Sequence, residues 1–220
     1  MQITYFDIET GPLSDTELAA LVPRFDPTEV KTGNIKDPEK VAAKIAEAEL
    51  GHRRDFLEKA ALDPLTGRVM AIGLFDQGNG FRCLGAGLTE AELLSRFWAE
   101  CADPSGVFHR LVGFNVFLFD LPFLVRRSWK WGVPLPRGLR NGRYWHSSIL
   151  DLRDWWQMGD RQAKGSLDSL ARHFGVGKKM GNGKDFAMLW NSDRAAAIAY
   201  LRNDVCLTVR VAQAMGVAEG

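Results

Sequence analysis

Hydrophobic positions along this chain change their period several times, and each change marks an element. Ile3 to Phe6 is a short apolar run at the start, read as a buried strand over about 2–7. Residues 14–66 then turn polar. Within them Pro38 to Ala61 has a helical pattern, with Asp37 as N-cap and Pro38 in the first turn. Its many charges of both signs predict a solvated helix. Arg68–Phe75 and Gly80–Leu84 read as strands joined by the turn Asp76-Gln77-Gly78-Asn79. Thr89 to Cys101 reads as a helix opened by a capping box, Thr89 with Glu92. Val107–Phe114 is a fourth strand, followed by a helix from about Leu121 that ends near Gly132 and Pro134. Ser148–Leu152 is the fifth strand. Ser166–Phe174 is a helix stopped by Gly175, and a last helix begins after Ser192 or Asp193 and runs to Met215. The pattern predicts an α/β fold: one domain over 1–220, a mixed five-stranded sheet flanked by helices, with 14–66 as a charged helical insertion after the first strand.

Polar residues at the edges of the apolar runs change the picture from fold to chemistry. Asp7 ends the first strand and Glu9 lies just beyond it. Side chains alternate along a strand, so the two carboxylates share one face while Ile8 points to the other. Asp120 closes the segment Asn115-Val116-Phe117-Leu118-Phe119-Asp120. Tyr200 and Asp204 stand at i and i+4 on the last helix, on one face. Carboxylates beside apolar neighbours are costly unless a cation compensates them. A shared divalent-metal site compensates all of them at once, and hard oxygen ligands suit Mg²⁺ or Mn²⁺. Each motif alone has an ordinary explanation, a surface turn, a helix cap or a core tyrosine. The three together, in this order, point to a site.

In combination these residues resemble the three motifs of the DEDD 3′–5′ exonucleases of the ribonuclease H-like superfamily. Phe6-Asp7-Ile8-Glu9-Thr10 is similar to the first motif. Gly113-Phe114-Asn115 through Phe119-Asp120-Leu121-Pro122-Phe123-Leu124 is similar to the second, in the form found in family B DNA polymerases. Tyr200 to Asp204 is similar to the third in its tyrosine form, since Ala199 stands where the histidine form has His. The likeness is to stand-alone exonucleases related to the family B proofreading domain, and residues 14–66 lie outside it. The resemblance implies a ribonuclease H-like fold and two metal ions. Asp7 would bridge them, Glu9 and Asp204 would complete the first site, Asp120 would hold the second, and Tyr200 would position the attacking water. It implies two-metal hydrolysis of a phosphodiester, with release of nucleoside 5′-monophosphates from a single-stranded or frayed 3′ end. DNA is the favoured substrate. An exoribonuclease with the same site, a non-catalytic nucleic-acid-binding module and an unrelated metal-dependent hydrolase remain as alternatives. No polymerase palm fits in the chain, so any proofreading would be in trans, with a polymerase or repair partner.

The distribution of charge adds candidate contacts. The net charge is +1, which says nothing about partners. Between Asp120 and Asp151, however, there is no acidic residue, while Arg126, Arg127, Lys130, Arg137, Arg140 and Arg143 alternate with Trp129, Trp131, Tyr144 and Trp145. Cations meet phosphates and aromatic faces stack on unpaired bases. Lys178, Lys179 and Lys184, in the Gly-rich segment 177–184, form a second candidate set for backbone contact. Thr10, Asn115 and Phe119 join them as substrate-binding candidates within the motifs. The Gly-rich segment is not a phosphate-binding P-loop, because five residues separate Gly177 from Gly183 and Asp185 stands where Ser or Thr would bind the metal. It reads as a flexible connector between helices.

Composition removes other classes. At 46% hydrophobic and 25% charged the 220 residues are ordinary for a globular chain, and no apolar stretch reaches membrane-spanning length. Cys83, Cys101 and Cys206 are isolated, which argues against a disulfide framework or zinc ribbon and for a reducing compartment. The histidines His52, His109, His146 and His173 have no zinc spacing. With a strand at the very start there is no room for a signal peptide, and a cytoplasmic location is expected.

Overall fold

The structure, a computed structural model, describes residues 3–102, 108–136, 139, 148–160 and 162–217. Along the chain run β1 (Ile3–Pro12), α1 (Asp15–Ala19), α2 (Pro38–Lys59), β2 (Gly67–Asp76), β3 (Gly80–Leu84), α3 (Glu90–Glu100), β4 (Arg110–Gly113), α4 (Asp120–Trp131), β5 (Ile149–Asp151), α5 (Leu152–Gln157), α6 (Leu167–His173), α7 (Phe186–Ser192) and α8 (Arg194–Ala214). They fall into two compact units. One holds the residues up to Thr10 and from Val69 on, the other Gly11–Arg68.

The larger unit is built on a five-stranded sheet in the order β3-β2-β1-β4-β5. β1 and β5 run parallel to β4, with Tyr5 opposite Val112 and Gly113 opposite Asp151. β2 and β3 form an antiparallel hairpin, so the sheet is mixed. One buried cluster gathers α6, α7 and α8 with Tyr5, Met70 and Leu150 from the strands. The other gathers α3 and α4 with Phe6, Ile72, Leu74 and Leu111. β1 contributes to both because alternate side chains leave opposite faces of a strand. Helices therefore cover both faces of the sheet, as an α/β pattern requires.

Local chemistry places most boundaries where the sequence does. Thr89 closes a capping box with Glu92, Gly132 ends α4 in the left-handed region, and Asp193 caps α8. β1 runs to Pro12 instead of ending at about residue 7, so Glu9 as well as Asp7 lies inside the strand. β4 is shorter than its apolar run; Val107 lies outside the described residues. Three helices escaped the sequence reading, α1, α5 and α7, all of seven residues or fewer and too short to display a period.

In the smaller unit Leu13, Leu18 and Ala60 are buried with Phe56 against them. The long helix α2 is capped by Asp37, as its sequence predicts, and has no buried residue. Such a helix draws its stability from its caps and alternating charges more than from packing.

Candidate active site

The parallel strands all end on one side of the sheet, and three of them deliver polar groups there. In open α/β sheets that edge is where ligands bind. Asp7 and Glu9 come from β1. Asn115 follows β4, and Asp151 ends β5. α8 crosses behind them and adds Tyr200 and Asp204, both buried. The cleft they form is lined by Asp7, Glu9, Asn115, Phe119, Asp120, Arg153, Ser166, Lys179, Gly183, Tyr200 and Asp204, among others, and encloses about 330 Å³.

Carboxylate oxygens of Asp7, Glu9 and Asp204 lie within 4.8 Å of one another. Asp120 lines the same cleft from the first turn of α4, where its Oδ1 accepts the Ile8 N–H at 3.2 Å. Burial holds all of these acids toward their neutral forms, and neighbouring carboxylates add to it for Asp7, Glu9 and Asp120. Asp7 is pushed up to about 7, by desolvation and then by Asp204. Glu9 and Asp120 are raised well above the usual carboxylate range, each by burial and then by the Asp7 charge. Asp204 is raised by burial, and the nearby Lys179 ammonium opposes the shift.

That ammonium is the one element of the cluster whose role the sequence did not show. Lys179 Nζ stands 2.7 Å from Asp204 Oδ2 and 5.6 Å from the centre of the Tyr200 ring. Burial works against its charge, but Asp204, Tyr200 and Asp7 raise its pKa on balance. The Gly-rich segment is therefore more than a connector. Lys179 N–H donates to Asp168 Oδ1 at 2.7 Å, Val176 N–H to the Ala171 carbonyl at 2.9 Å, and Arg210 reaches the Val176 carbonyl. Beyond Lys179 the segment crosses Tyr200 so closely that a Cβ at Gly181 would lie 3.3 Å from the ring, and one at Gly183 3.6 Å from its hydroxyl. A side chain at Gly181 would push the ring by a few tenths of an ångström, whereas one at Gly183 would make an ordinary contact.

The second-motif loop is held by an acid outside the motifs. Asp151 accepts N–H groups from Asn115 at 2.7 Å, Phe117 at 3.0 Å and Arg153 at 2.9 Å. Burial raises its pKa and these donors oppose the rise. Asn115 has a left-handed backbone, φ 64°, a conformation Asn tolerates better than most residues. Gly113 must be glycine, since a Cβ would meet Val116 Cγ1 at 2.3 Å. The signal for Asp151 and Arg153 was available: an acid at the end of an apolar run predicted to be a sheet strand, as with Asp7.

Other predicted contacts are redistributed. Asn115 and Phe119 line the cleft. Thr10 is buried outside the lining, because strand alternation turns it away from Glu9. Arg126 and Lys130 are exposed on α4, with Trp129 beside them at 62% exposure. Arg127 is corrected: it is 1% exposed and its guanidinium holds Glu90 through Nε at 2.8 Å and Nη2 at 2.5 Å. Trp131 Nε1 also donates to Glu90, at 2.7 Å. Arg127 is thus a core ion pair rather than a phosphate contact. Lys178 and Lys184 are exposed and outside the cleft lining. Arg137, Arg140, Arg143, Tyr144 and Trp145 lie outside the described residues.

The donor set fits a divalent cation. Hard carboxylate oxygens converge, one lysine does not balance them, and Asp204 is 1% exposed with the Lys179 ammonium on only one of its oxygens. Comparison with known proteins agrees with this chemistry. A family model described as predicted 3′–5′ exonuclease related to the exonuclease domain of PolB matches residues 64–215, more than half of the chain. The chain belongs to that family of 3′–5′ exonucleases. Exonuclease domains of this type use divalent metals. Among solved structures, the family B DNA polymerase of the hyperthermophilic archaeon Pyrobaculum calidifontis is similar over 97% of this chain, at 19% identity and TM-score 0.62. The similarity spans 24% of the polymerase, so the chain corresponds to only a part of that protein. The EXO domain of Aedes aegypti Nibbler is similar over 96% of this chain and 76% of its own, at 13% identity and TM-score 0.52. These likenesses show the fold: a mixed five-stranded sheet flanked by helices, shared with both structures. No curated protein matches in sequence. Among the described residues no helix is long and apolar enough to cross a membrane.

Proposed function

We propose that this exonuclease removes nucleotides one at a time from the 3′ end of single-stranded or frayed DNA, by hydrolysis that depends on two divalent ions, Mg²⁺ or Mn²⁺. The observation that carries this reading is the meeting of Asp7, Glu9 and Asp204 within 4.8 Å in a cleft that also holds Asp120 and Tyr200. Asp7, Glu9 and Asp204 would hold one ion, with Asp7 shared and Asp120 serving a second. Bound there, such ions stabilise the attacking and leaving oxygens of a phosphodiester.

The chain's own groups supply the rest. The Tyr200 hydroxyl is buried beside Asp204 and Lys179, and its pKa is raised by burial and then by the Asp204 and Glu9 charges. It stays protonated and serves as a fixed donor that orients the nucleophile. Lys179 brings a cation to the same wall and offsets charge that builds on the phosphate. Phe119 and Asn115 line the entry for the terminal nucleotide. The exposed face of α4, with Arg126, Lys130 and Trp129 and no exposed acid, offers phosphate contacts and a stacking surface to the strand behind that nucleotide. DNA is favoured because the matching family is related to a DNA polymerase domain. Action in trans beside a polymerase or repair enzyme follows from the same relation.

Matched DNA and RNA oligomers, labelled at either end and incubated with Mg²⁺ or Mn²⁺, test this directly. The expected products are mononucleotides from the 3′ end of DNA, abolished by Asp204→Ala. Faster digestion of RNA would reassign the substrate, and activity retained in Asp204→Ala would remove the site.

A further inference from the structure

Arg153 is the cation of the cleft that no motif announces. It follows β5 and lines the cavity with Asp7, Asn115, Phe119 and Asp120. Among the described residues it forms no ion pair with a carboxylate, although carboxylates dominate the cavity. Its Nη1 donates to Asn115 Oδ1 at 2.8 Å, while its Nε is buried without a hydrogen-bond partner. A buried guanidinium N–H is costly to leave unbonded. The same Asp151 carboxylate that fixes the Asn115 backbone also accepts the Arg153 N–H, so loop and arginine are set as one piece. With its oxygen accepting from Arg153, the Asn115 side chain also carries an NH₂ group that can donate. Together the two residues bring guanidinium and amide donors to the cleft, which suits an anion.

We propose that Arg153 is a phosphate-binding residue of this site: its guanidinium, braced by Asn115, holds a non-bridging oxygen of the substrate backbone next to the scissile linkage. The proposal rests on the cleft being a phosphodiester site. A planar guanidinium suits this task better than an ammonium, because its N–H groups can grip two phosphate oxygens at once.

Binding of a fluorescent single-stranded oligomer in chelator, where no turnover intervenes, tests it at several salt concentrations. Arg153→Gln should bind about ten- to a hundredfold more weakly, the range of a lost charge-assisted hydrogen bond. Its plot of log affinity against log salt should be shallower by about 0.7, one phosphate contact on a single strand. Arg153→Lys should keep the slope and bind several-fold more weakly, since charge remains and the fork is lost. Uncharged methylphosphonate linkages at the last positions of the oligomer should erase the difference between wild type and Arg153→Lys. An unchanged slope in Arg153→Gln, or a Lys variant as weak on the methylphosphonate strand as on the natural one, overturns the proposal. If Arg153→Gln does not fold, the Lys variant on the two strands decides. A wild type that binds through Arg153 yet hydrolyses nothing would refute the exonuclease reading and leave this one standing.

Discussion

Two basic stretches of this protein look alike as sequence and do opposite things in the fold. The α4 stretch, Arg126-Arg127 through Lys130, splits between outside and core. Arg126 and Lys130 face solvent, while Arg127 turns inward to a carboxylate that it fully occupies. The Gly-rich stretch leaves Lys178 and Lys184 on the surface and sends Lys179 alone into the acid cluster. In α4 the charge balance is closed: Glu90 receives Arg127, the Trp131 indole and the Val69 N–H. In the cleft it is open, with Asp7, Glu9, Asp120 and Asp204 facing two cations, Lys179 and Arg153. A closed pair is a structural element, whereas an open excess of acid is a ligand site waiting for cations.

Exchanging the two inward cations for apolar side chains of similar length breaks the comparison most sharply. Lys179→Met should lower kcat by about 10²–10³-fold, the scale for losing one fixed electrostatic contact at a reacting centre, while the protein still folds. Arg127→Met should leave Glu90 buried without its cation, a loss of about 3–5 kcal/mol. Turnover per folded molecule should stay near wild type, and the midpoint of thermal unfolding should fall by roughly 10 °C. Thermal melts and single-turnover rates on both variants check the pair. If the two exchange phenotypes, so that Arg127→Met is stable and slow, the assignment of the two stretches is reversed.

The outward residues of α4 are expected to matter less and differently. Replacing Arg126 and Lys130 together by Ala should raise KM more than it lowers kcat, since phosphate contacts away from the scissile bond serve ground and transition states alike. The salt dependence of binding should become shallower by about 1.4, two contacts on a single strand. An identical slope in variant and wild type would make this face plain solvated surface and move strand binding elsewhere.

Much of this was legible in the sequence, and the limit is physical. Asp7 and Glu9 share a face because strands alternate, and Tyr200 and Asp204 share one because helices repeat every 3.6 residues. Both are local rules, and the structure brings the groups together. The same helical rule already separated Arg127 from its neighbours. It lies three residues from Leu124 and four from Phe123, on the apolar stripe, whereas Arg126 and Lys130 are four apart on the other side. Counting charge across the stretch without its period hid that. Lys179 obeyed no local rule. Its place depends on where Asp168 and Ala171 anchor an irregular segment against α8, which only the assembled fold decides.

A pH-dependent effect measures how far from balanced the cleft is. The Asp7 carboxyl titrates near 7 in the folded chain, above its ordinary 3.8, because burial and then Asp204 disfavour its charge more than Lys179 and the Ile8 N–H relieve it. The sign follows by linkage. A carboxylate whose pKa is raised on folding keeps its proton longer in the folded state, so its ionisation costs stability. That cost is absent below the unfolded value, grows from about pH 4 to 7, and is complete above. Asp7→Asn, which removes the charge and keeps the shape, should therefore match wild type in thermal stability at the acid end. It should exceed wild type by up to roughly 10 °C at pH 8, both proteins being held in chelator. The Glu90–Arg127 pair has its charge met, so no comparable gain is expected from Glu90→Gln, which should destabilise at every pH. A gain in Asp7→Asn that is constant across the range would trace to packing rather than charge, and the cleft would then be as balanced as the pair in α4.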